Sequence, residues 1–95
     1  MKPITNIIWK EEVVRKIALK HNVHQAEVEE VLANNPVIRF LEKGYRIGED
    51  VYVALGQTDA GRYLTVIFIY KGQRQVLITT AYDMPDKHRA LYERK

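Results

Sequence analysis

The sequence predicts a single α+β domain in which two helices precede a run of strands and a third helix closes the chain. In residues 10–34 apolar side chains recur at three- and four-residue spacing, which is typical of helices packed on one face. After Pro36 the apolar runs are rich in β-branched and aromatic residues, which favours strands. A chain of 95 residues holds one domain, 1–95. We expect an antiparallel sheet, the order β-α-α-β-β-β-α, and both N-terminal helices packed on the sheet.

The two leading helices are predicted over residues 10–21 and 25–34. Asn22 is a suitable left-handed stop for the first helix, and Pro36 ends the second because the residue before a proline resists helical geometry. The residues expected to form the buried stripes are Val13, Val14, Ile17 and Ala18 in the first helix, and Val28, Val31 and Leu32 in the second.

Five segments have the composition of strands. They are residues 4–9, Val37–Glu42, Val51–Gln57, 63–70 and 76–81. Residues 63–70 are apolar at nearly every position, so we expect a central strand covered on both faces. Lys71-Gly72 is a tight hairpin signal. Asp83 is predicted to cap a final helix that holds Pro85 in its first turn.

Composition and charge exclude several classes of protein. The chain has no cysteine, so it has no disulfide, no thiolate metal site and no cysteine nucleophile. Its longest apolar run, residues 64–70, is far shorter than the roughly 20 residues of a membrane helix. The first residues lack a signal-peptide pattern, so we expect a cytoplasmic protein. The net charge is +3, and the excess of basic residues lies toward both ends, which favours an anionic partner.

Several segments in a fixed order resemble the BrnT toxins. They are Ile8-Trp9-Lys10, Lys20-His21-Asn22-Val23, residues 27–32, residues 51–62, Thr80-Ala81-Tyr82-Asp83-Met84 and residues 89–94. The resemblance covers almost the whole chain and implies a RelE-like fold. It also implies a ribonuclease that acts on RNA and is inhibited by a cognate BrnA-like antitoxin. We expect that antitoxin to be a ribbon-helix-helix protein encoded by the adjacent gene.

One position departs from the BrnT pattern. The family usually has Ser-Ala-Arg where the last strand ends, whereas this chain has Thr80-Ala81-Tyr82. Tyr82 therefore replaces an arginine that is thought to face RNA. Two readings follow from this replacement: a ribonuclease of reduced activity, or a non-catalytic toxin-like protein that only binds its antitoxin.

A metal-independent ribonuclease needs a base for the 2′-hydroxyl, an acid for the leaving oxygen and positive charge for the phosphate. Lysine, arginine, histidine and tyrosine can supply all three. The predicted catalytic residues are Lys20, His21, Arg62, Tyr82 and Arg89. The predicted RNA-binding residues are Lys16, Lys20, His88 and Arg89. Lys20 and His21 end the first helix, and they also have a purely structural interpretation, because cations at that end complement the helix dipole. Trp9 and Tyr92 are predicted to be core or interface residues.

Two further patterns in the sequence resemble a metal site and a DNA-binding motif. His21, His24 and Glu27 are spaced by three, as in a helical metal site, but Asn22 and Val23 indicate a helix break between the histidines. We therefore expect no metal and no cofactor.

The spacing of apolar residues in the first two helices also resembles a DNA-binding helix-turn-helix. However, the second helix would present Glu27, Glu29 and Glu30 to the DNA phosphates, which would repel them.

Overall fold

The computed structural model describes residues 4–94, and within them a sheet of five strands lies between two helical layers. The elements are β1 (Asn6–Ile8), α1 (Glu11–His21), α2 (Gln25–Ala33), β2 (Val37–Glu42), β3 (Val51–Gln57), β4 (Tyr63–Gly72), β5 (Gln75–Asp83) and α3 (Asp86–Glu93). The α+β class is confirmed, with two N-terminal helices and a C-terminal helix. Each of the five predicted strand segments forms a strand, so the order is β-α-α-β-β-β-β-α, with one strand more than the predicted order β-α-α-β-β-β-α.

The strand order in the sheet is β1-β5-β4-β3-β2, so β4 is central as predicted. Strands β2 to β5 form an antiparallel meander. The short strand β1, however, pairs with β5 in parallel, from Asn6 opposite Gln75 to Ile8 opposite Leu77. The sheet is therefore mixed and not purely antiparallel. Residue pattern alone predicts a strand but carries no information on which edge it joins or in which direction.

The helices α1 and α2 pack on one face of the sheet, as predicted, with α1 against β5 and α2 against β3 and β4. The core on this face consists of Ile17, Val23, Val28, Val31, Ala54, Leu64, Val66, Phe68, Val76, Ile78 and Ala81. Side chains alternate along a strand, so Val53 and Leu55 point to the opposite face. There they form a second core with Val37 and with Tyr92 of α3.

Several element ends differ from the predictions by one or two residues, and β4 and β5 extend beyond the predicted 63–70 and 76–81. Three differences concern the β4–β5 turn and the start of α3. The β4–β5 turn consists of Gln73 and Arg74, both with positive φ, so the hairpin turns two residues later than Lys71-Gly72 suggests. Asp83 does not cap α3, because it is still paired with Leu64 in the sheet. Pro85 occupies the N-cap position of α3 instead of its first turn.

Among residues 4–94, no helix combines the length and the apolar character needed to cross a membrane.

Candidate functional site

Helix α1 ends beside the end of β5, and this junction contains several of the predicted site residues. Asn22 adopts the left-handed conformation, with φ 52° and ψ 39°, as the sequence predicts. Its N–H donates to the carbonyl of Ala18, and the N–H of Val23 donates to the carbonyl of Ile17. This cap ends α1 sharply. Lys20 and His21 consequently occupy the last turn, where the helix dipole favours positive charge.

Arg62 connects three elements at this junction. Its guanidinium donates to the carbonyl oxygens of Asn22 at 2.7 Å and His21 at 3.3 Å, which are at the end of α1. It also donates to both carboxylate oxygens of Glu27, in the first turn of α2, at 3.0 and 3.1 Å. Its Nε donates to Asp83, at the end of β5, at 3.0 Å. The predicted catalytic cation thus donates to acceptors from three elements and keeps 27% of its side chain exposed.

The charges in this cluster stabilise one another. Burial alone would raise the pKa of Glu27, but the hydrogen bond from the backbone N–H of His24 and the contact with Arg62 outweigh burial and lower it. Burial alone would lower the pKa of Arg62, but Asp83 and Glu27 outweigh burial and raise it. Both groups therefore remain charged near neutral pH.

Tyr82 lies against His21. Their ring centroids are 5.9 Å apart and the ring planes are inclined by 53°. An open surface depression here is lined by Leu19, Lys20, His21, Asn22, Tyr82 and Asp83. Lys20 is exposed beside these rings. Other clefts lie around the β2–β3 connection and contain none of the predicted site residues.

The other predicted lysine, Lys16, has a defined contact with the sheet. Its Nζ donates to the carbonyl oxygen of Thr79 at 2.9 Å. Strand β1 pairs with β5 only as far as Leu77. Within residues 4–94, the part of β5 after Leu77 therefore has no strand on this side. Lys16 thus satisfies one backbone carbonyl of that edge.

Tyr82 also belongs to the α3 side of the sheet. It is paired with Thr65, whose neighbours Leu64 and Val66 both belong to the α1–α2 core. Residues that pair across strands share a face, so the side chains of Tyr82 and Thr65 both leave the backbone toward the opposite face. The contact with the His21 ring then means that Tyr82 occupies the sheet edge between the two helical layers.

The predicted residues of α3 are found on that same face. The Nδ1 of His88 lies 3.1 Å from the hydroxyl of Thr65, which is fully buried. The guanidinium of Arg89 lies over the ring of Tyr63, 3.9 Å from its centroid, and Nε donates to Glu93 at 3.4 Å. The predicted residues therefore form two groups. Lys16, Lys20 and His21 lie on α1 beside β5, and His88 and Arg89 lie on α3 against Thr65 and Tyr63 of β4 on the opposite face.

The carboxylates of α2 accept hydrogen bonds from other parts of the domain. Glu29 accepts from Trp9 Nε1 at 3.1 Å, and Glu30 accepts from the backbone N–H of Asp59 at 3.0 Å. Together with the pairing of Glu27, these contacts attach α2 to the rest of the domain. This arrangement does not favour insertion of α2 into a DNA groove.

The spacing of His21, His24 and Glu27, which resembles that of a helical metal site, does not bring them together as a set of metal ligands in the part of the chain that the structure describes. Among the described residues, no group of three or more histidine, aspartate and glutamate side chains could hold a metal ion. Glu27 instead accepts from the backbone N–H of His24 at 3.0 Å, at the start of α2.

Comparison with known proteins identifies the family. The model of the family described as "Ribonuclease toxin, BrnT, of type II toxin-antitoxin system" matches residues 9–88. The chain belongs to the BrnT family. It is also similar to the crystal structure of the Brucella abortus ribonuclease toxin BrnT, with a TM-score of 0.63 and 19% sequence identity. That match covers 86% of this chain and 100% of the other, and at this identity it supports the fold alone. Comparison with curated protein sequences gives no match.

Within this BrnT family fold, reasoning from sequence missed two residues that contact predicted site residues, Thr65 and Asp83. The sequence pattern predicts only an apolar strand at residues 63–70, although a threonine between apolar neighbours, Thr65, is a signal for a buried polar contact. Asp83 was assigned to a helix cap, whereas its carboxylate binds Arg62. Trp9 and Tyr92 were placed correctly: Trp9 packs against the first core, and Tyr92 is buried in the second.

Proposed function

We propose that this BrnT family protein is a cytoplasmic toxin that cleaves RNA without a metal ion, at the surface shared by the end of α1 and the end of β5. The observation that carries this proposal is the pairing of the His21 and Tyr82 rings beside the exposed Lys20. An imidazole, a phenol and an ammonium group within one depression supply the proton transfer and the positive charge that phosphodiester cleavage needs.

In this proposal the groups have separate roles. Lys20 attracts the phosphate, and His21 protonates the leaving 5′-oxygen. A phenol is neutral near pH 7, so Tyr82 donates a hydrogen bond or stacks on a base but does not supply the fixed charge of an arginine. Lys16 contacts β5, whereas His88 and Arg89 contact Thr65 and Tyr63 of β4 on the opposite face, and in this proposal all three contribute to RNA binding. Activity is therefore weaker than that of a toxin with arginine in place of Tyr82.

We assign Arg62 a positioning role. Its Nε and Nη1 donate to Asp83, Glu27 and the carbonyl of Asn22, so phosphate binding through these donors would require the contacts to break. By holding the end of α1 against β5, it keeps His21 beside Tyr82. Arg62 then acts on the reaction through the placement of His21.

The test is cleavage of a fluorescent RNA by purified protein in EDTA. Wild-type protein should cleave it, and Lys20→Met should reduce the rate by about 10²-fold, as expected for loss of one charge-stabilising group. Lys43→Met removes an exposed lysine of the β2–β3 connection and serves as the matched control. Equal rates for both variants would contradict the assignment of Lys20, and loss of cleavage in EDTA would contradict the metal-free mechanism.

The second part of the proposal is the antitoxin. Membership in a type II toxin-antitoxin family implies such a partner. We propose that it is a BrnA-like ribbon-helix-helix protein encoded by the adjacent gene and that it blocks RNA cleavage. Co-expression of the two genes should yield a stable complex without nuclease activity. Separate elution at micromolar concentration would exclude this partner.

A non-catalytic role is the second candidate, and Tyr82 is the observation that favours it. If neither the wild type nor Tyr82→Arg cleaves RNA while both bind the antitoxin, the protein is a binding partner and not a nuclease.

A further inference from the structure

The depression beside Tyr82 contains two polar groups that the proposed reaction does not use. Asp83 lines this depression and keeps 73% of its side chain exposed. Its Oδ1 accepts from Arg62 Nε at 3.0 Å, whereas Oδ2 has no hydrogen-bond donor among residues 4–94. Asn22 lines the same depression, and within the same residues only its backbone forms hydrogen bonds. Its side-chain amide is therefore exposed and unpaired in this part of the chain.

A single guanidinium holds both residues in place. Arg62 donates through Nη1 to the carbonyl oxygen of Asn22 at 2.7 Å and through Nε to Asp83. Asn22 is the left-handed residue that ends α1, and Asp83 is the last residue of β5, so secondary structure fixes both backbones. An exposed carboxylate oxygen and an exposed amide are thus held close together beside an aromatic ring.

This combination suits a base better than a second phosphate. A carboxylate repels a phosphate, whereas a base stacks on an aromatic ring and is recognised through the hydrogen-bonding groups on its edge. The ring of Tyr82 is partly exposed and lines the same depression. We infer that Asp83, Asn22 and Tyr82 form a base-binding subsite that selects guanine. This inference rests on the proposed RNA-cleaving function and deepens it by naming the nucleotide that the site prefers.

The Watson–Crick edge of guanine matches these groups in order. It presents two adjacent donors, N1–H and N2–H, followed by the acceptor O6. An ionised carboxylate only accepts hydrogen bonds, so Asp83 accepts both donors through Oδ2 and the remaining lone pair of Oδ1. The amide N–H of Asn22 donates to O6 while the base rests on the ring of Tyr82.

The other three bases set an acceptor against the carboxylate. Adenine and cytosine carry one amino donor beside a ring nitrogen that accepts, and uracil carries one N–H between two carbonyl oxygens. Each of them leaves a lone pair facing Asp83, and an unmatched polar group in a binding site costs affinity. Asp83 therefore determines specificity by touching the base and takes no part in the proton transfers.

The experiment uses DNA oligonucleotides that contain one ribonucleotide, so that a single linkage has the 2′-hydroxyl needed for cleavage. The base of the ribonucleotide and the base after it are each varied among the four, and kcat/KM is measured in EDTA. Guanine at one of these two positions should be preferred over the other bases by about 5–150-fold, the range expected for a bidentate base contact. Inosine, which lacks the N2 amino group, should lose part of this preference.

Three variants locate the preference within the depression. Asp83→Asn keeps an oxygen for Arg62 but replaces the second acceptor by a donor, so it should abolish the guanine preference. Asn22→Gly removes the amide and retains the left-handed backbone, so the chain should fold and the preference should be reduced. Asp86→Asn changes an exposed aspartate in the first turn of α3 and is the matched control, which should keep the wild-type preference.

Binding of the same sequences without the ribonucleotide, followed by fluorescence anisotropy, separates this proposal from the ribonuclease function. If the wild type cleaves RNA with equal kcat/KM for all four bases, or prefers a base other than guanine, the guanine subsite is overturned and the ribonuclease function stands. If the wild type cleaves nothing but binds guanine preferentially through Asp83, the ribonuclease function fails and the subsite stands. A guanine preference that persists in Asp83→Asn would overturn the assignment of Asp83.

Discussion

The guanidinium of Arg62 and the carboxylate of Glu27 meet across 35 positions of sequence, with Nη1 3.0 and 3.1 Å from the two carboxylate oxygens. Both side chains are about three-quarters buried, with exposed fractions of 27% and 25%. Because Arg62 also binds Asp83 and the carbonyls that end α1, this ion pair links both leading helices to the end of β5. The proposed site depends on that junction, since Tyr82 and His21 come from the elements it joins.

We predict that Arg62→Lys destabilises the fold by about 1–3 kcal/mol, because lysine keeps the charge but lacks the planar donors that reach several acceptors at once. The measurement is urea denaturation followed by circular dichroism. Arg15→Lys is the matched control: Arg15 is 65% exposed and pairs only with Glu11 among the contacts described, so the change should be within about 0.5 kcal/mol. Equal effects of the two substitutions would contradict the proposed role of Arg62.

The stability of the fold should fall in acid in a way that depends on Glu27. The pKa of Glu27 is lower in the folded chain than its usual value of 4.5, so its contribution is present above pH 4.5 and is lost as pH falls through the folded-state pKa. Glu27→Gln should lower stability at pH 7 and make the stability less dependent on pH below 4.5. Melting temperatures measured between pH 3 and pH 7 test this. Glu12→Gln, at an exposed position of α1, should leave the profile unchanged.

Replacing Tyr82 by arginine should raise the rate of RNA cleavage by at least about 10-fold, because a fixed charge is restored where the phosphate is expected. Tyr82→Phe keeps the ring but removes the hydroxyl, and it should lower the rate or leave it unchanged. The readouts are cleavage of RNA in EDTA and growth arrest on induction without antitoxin. A Tyr82→Arg protein that folds normally and is no more active than wild type would contradict the site.

The two phenylalanines of the chain give a matched test of the core. Phe68 is fully buried in the central strand, whereas Phe40 on the edge strand β2 is 54% exposed. Phe68→Ala should cost about 3–5 kcal/mol through lost burial and the cavity left behind. Phe40→Ala should cost less than about 1.5 kcal/mol, mainly its edge-on contact with Tyr52. Comparable losses would mean that Phe68 is not buried in the core as described.

Features that depend on neighbours along the chain were predicted well. The period of the apolar residues located α1 and α2, and the doubly apolar character of residues 63–70 located the central strand. Asn22 was identified as the stop of α1 because a short polar side chain tolerates the left-handed conformation. The resemblance in the order of motifs also identified the family, which the match over residues 9–88 confirms.

Features that depend on contacts between distant segments were not predicted. The parallel pairing of β1 with β5 depends on where the chain returns after the helices. The engagement of Arg62 depends on acceptors from α1, α2 and β5, and a charged residue in a turn has the same local sequence whether it is solvated or enclosed. The same holds for the contact of His21 with Tyr82 and for that of His88 with Thr65, whose members come from four different elements.

The sequence by itself therefore determined the elements, their order, the family and the list of residues with suitable chemistry, because period, capping and composition act over a few neighbouring residues. Only the tertiary structure decided the use of those residues. It enclosed Arg62 among carboxylates and carbonyls, set Tyr82 at the sheet edge between two helical layers, and joined His88 to the buried hydroxyl of Thr65. The physical reason is that the charge and hydrogen-bonding state of a side chain depend on the groups that surround it in space, and those groups come from distant parts of the chain.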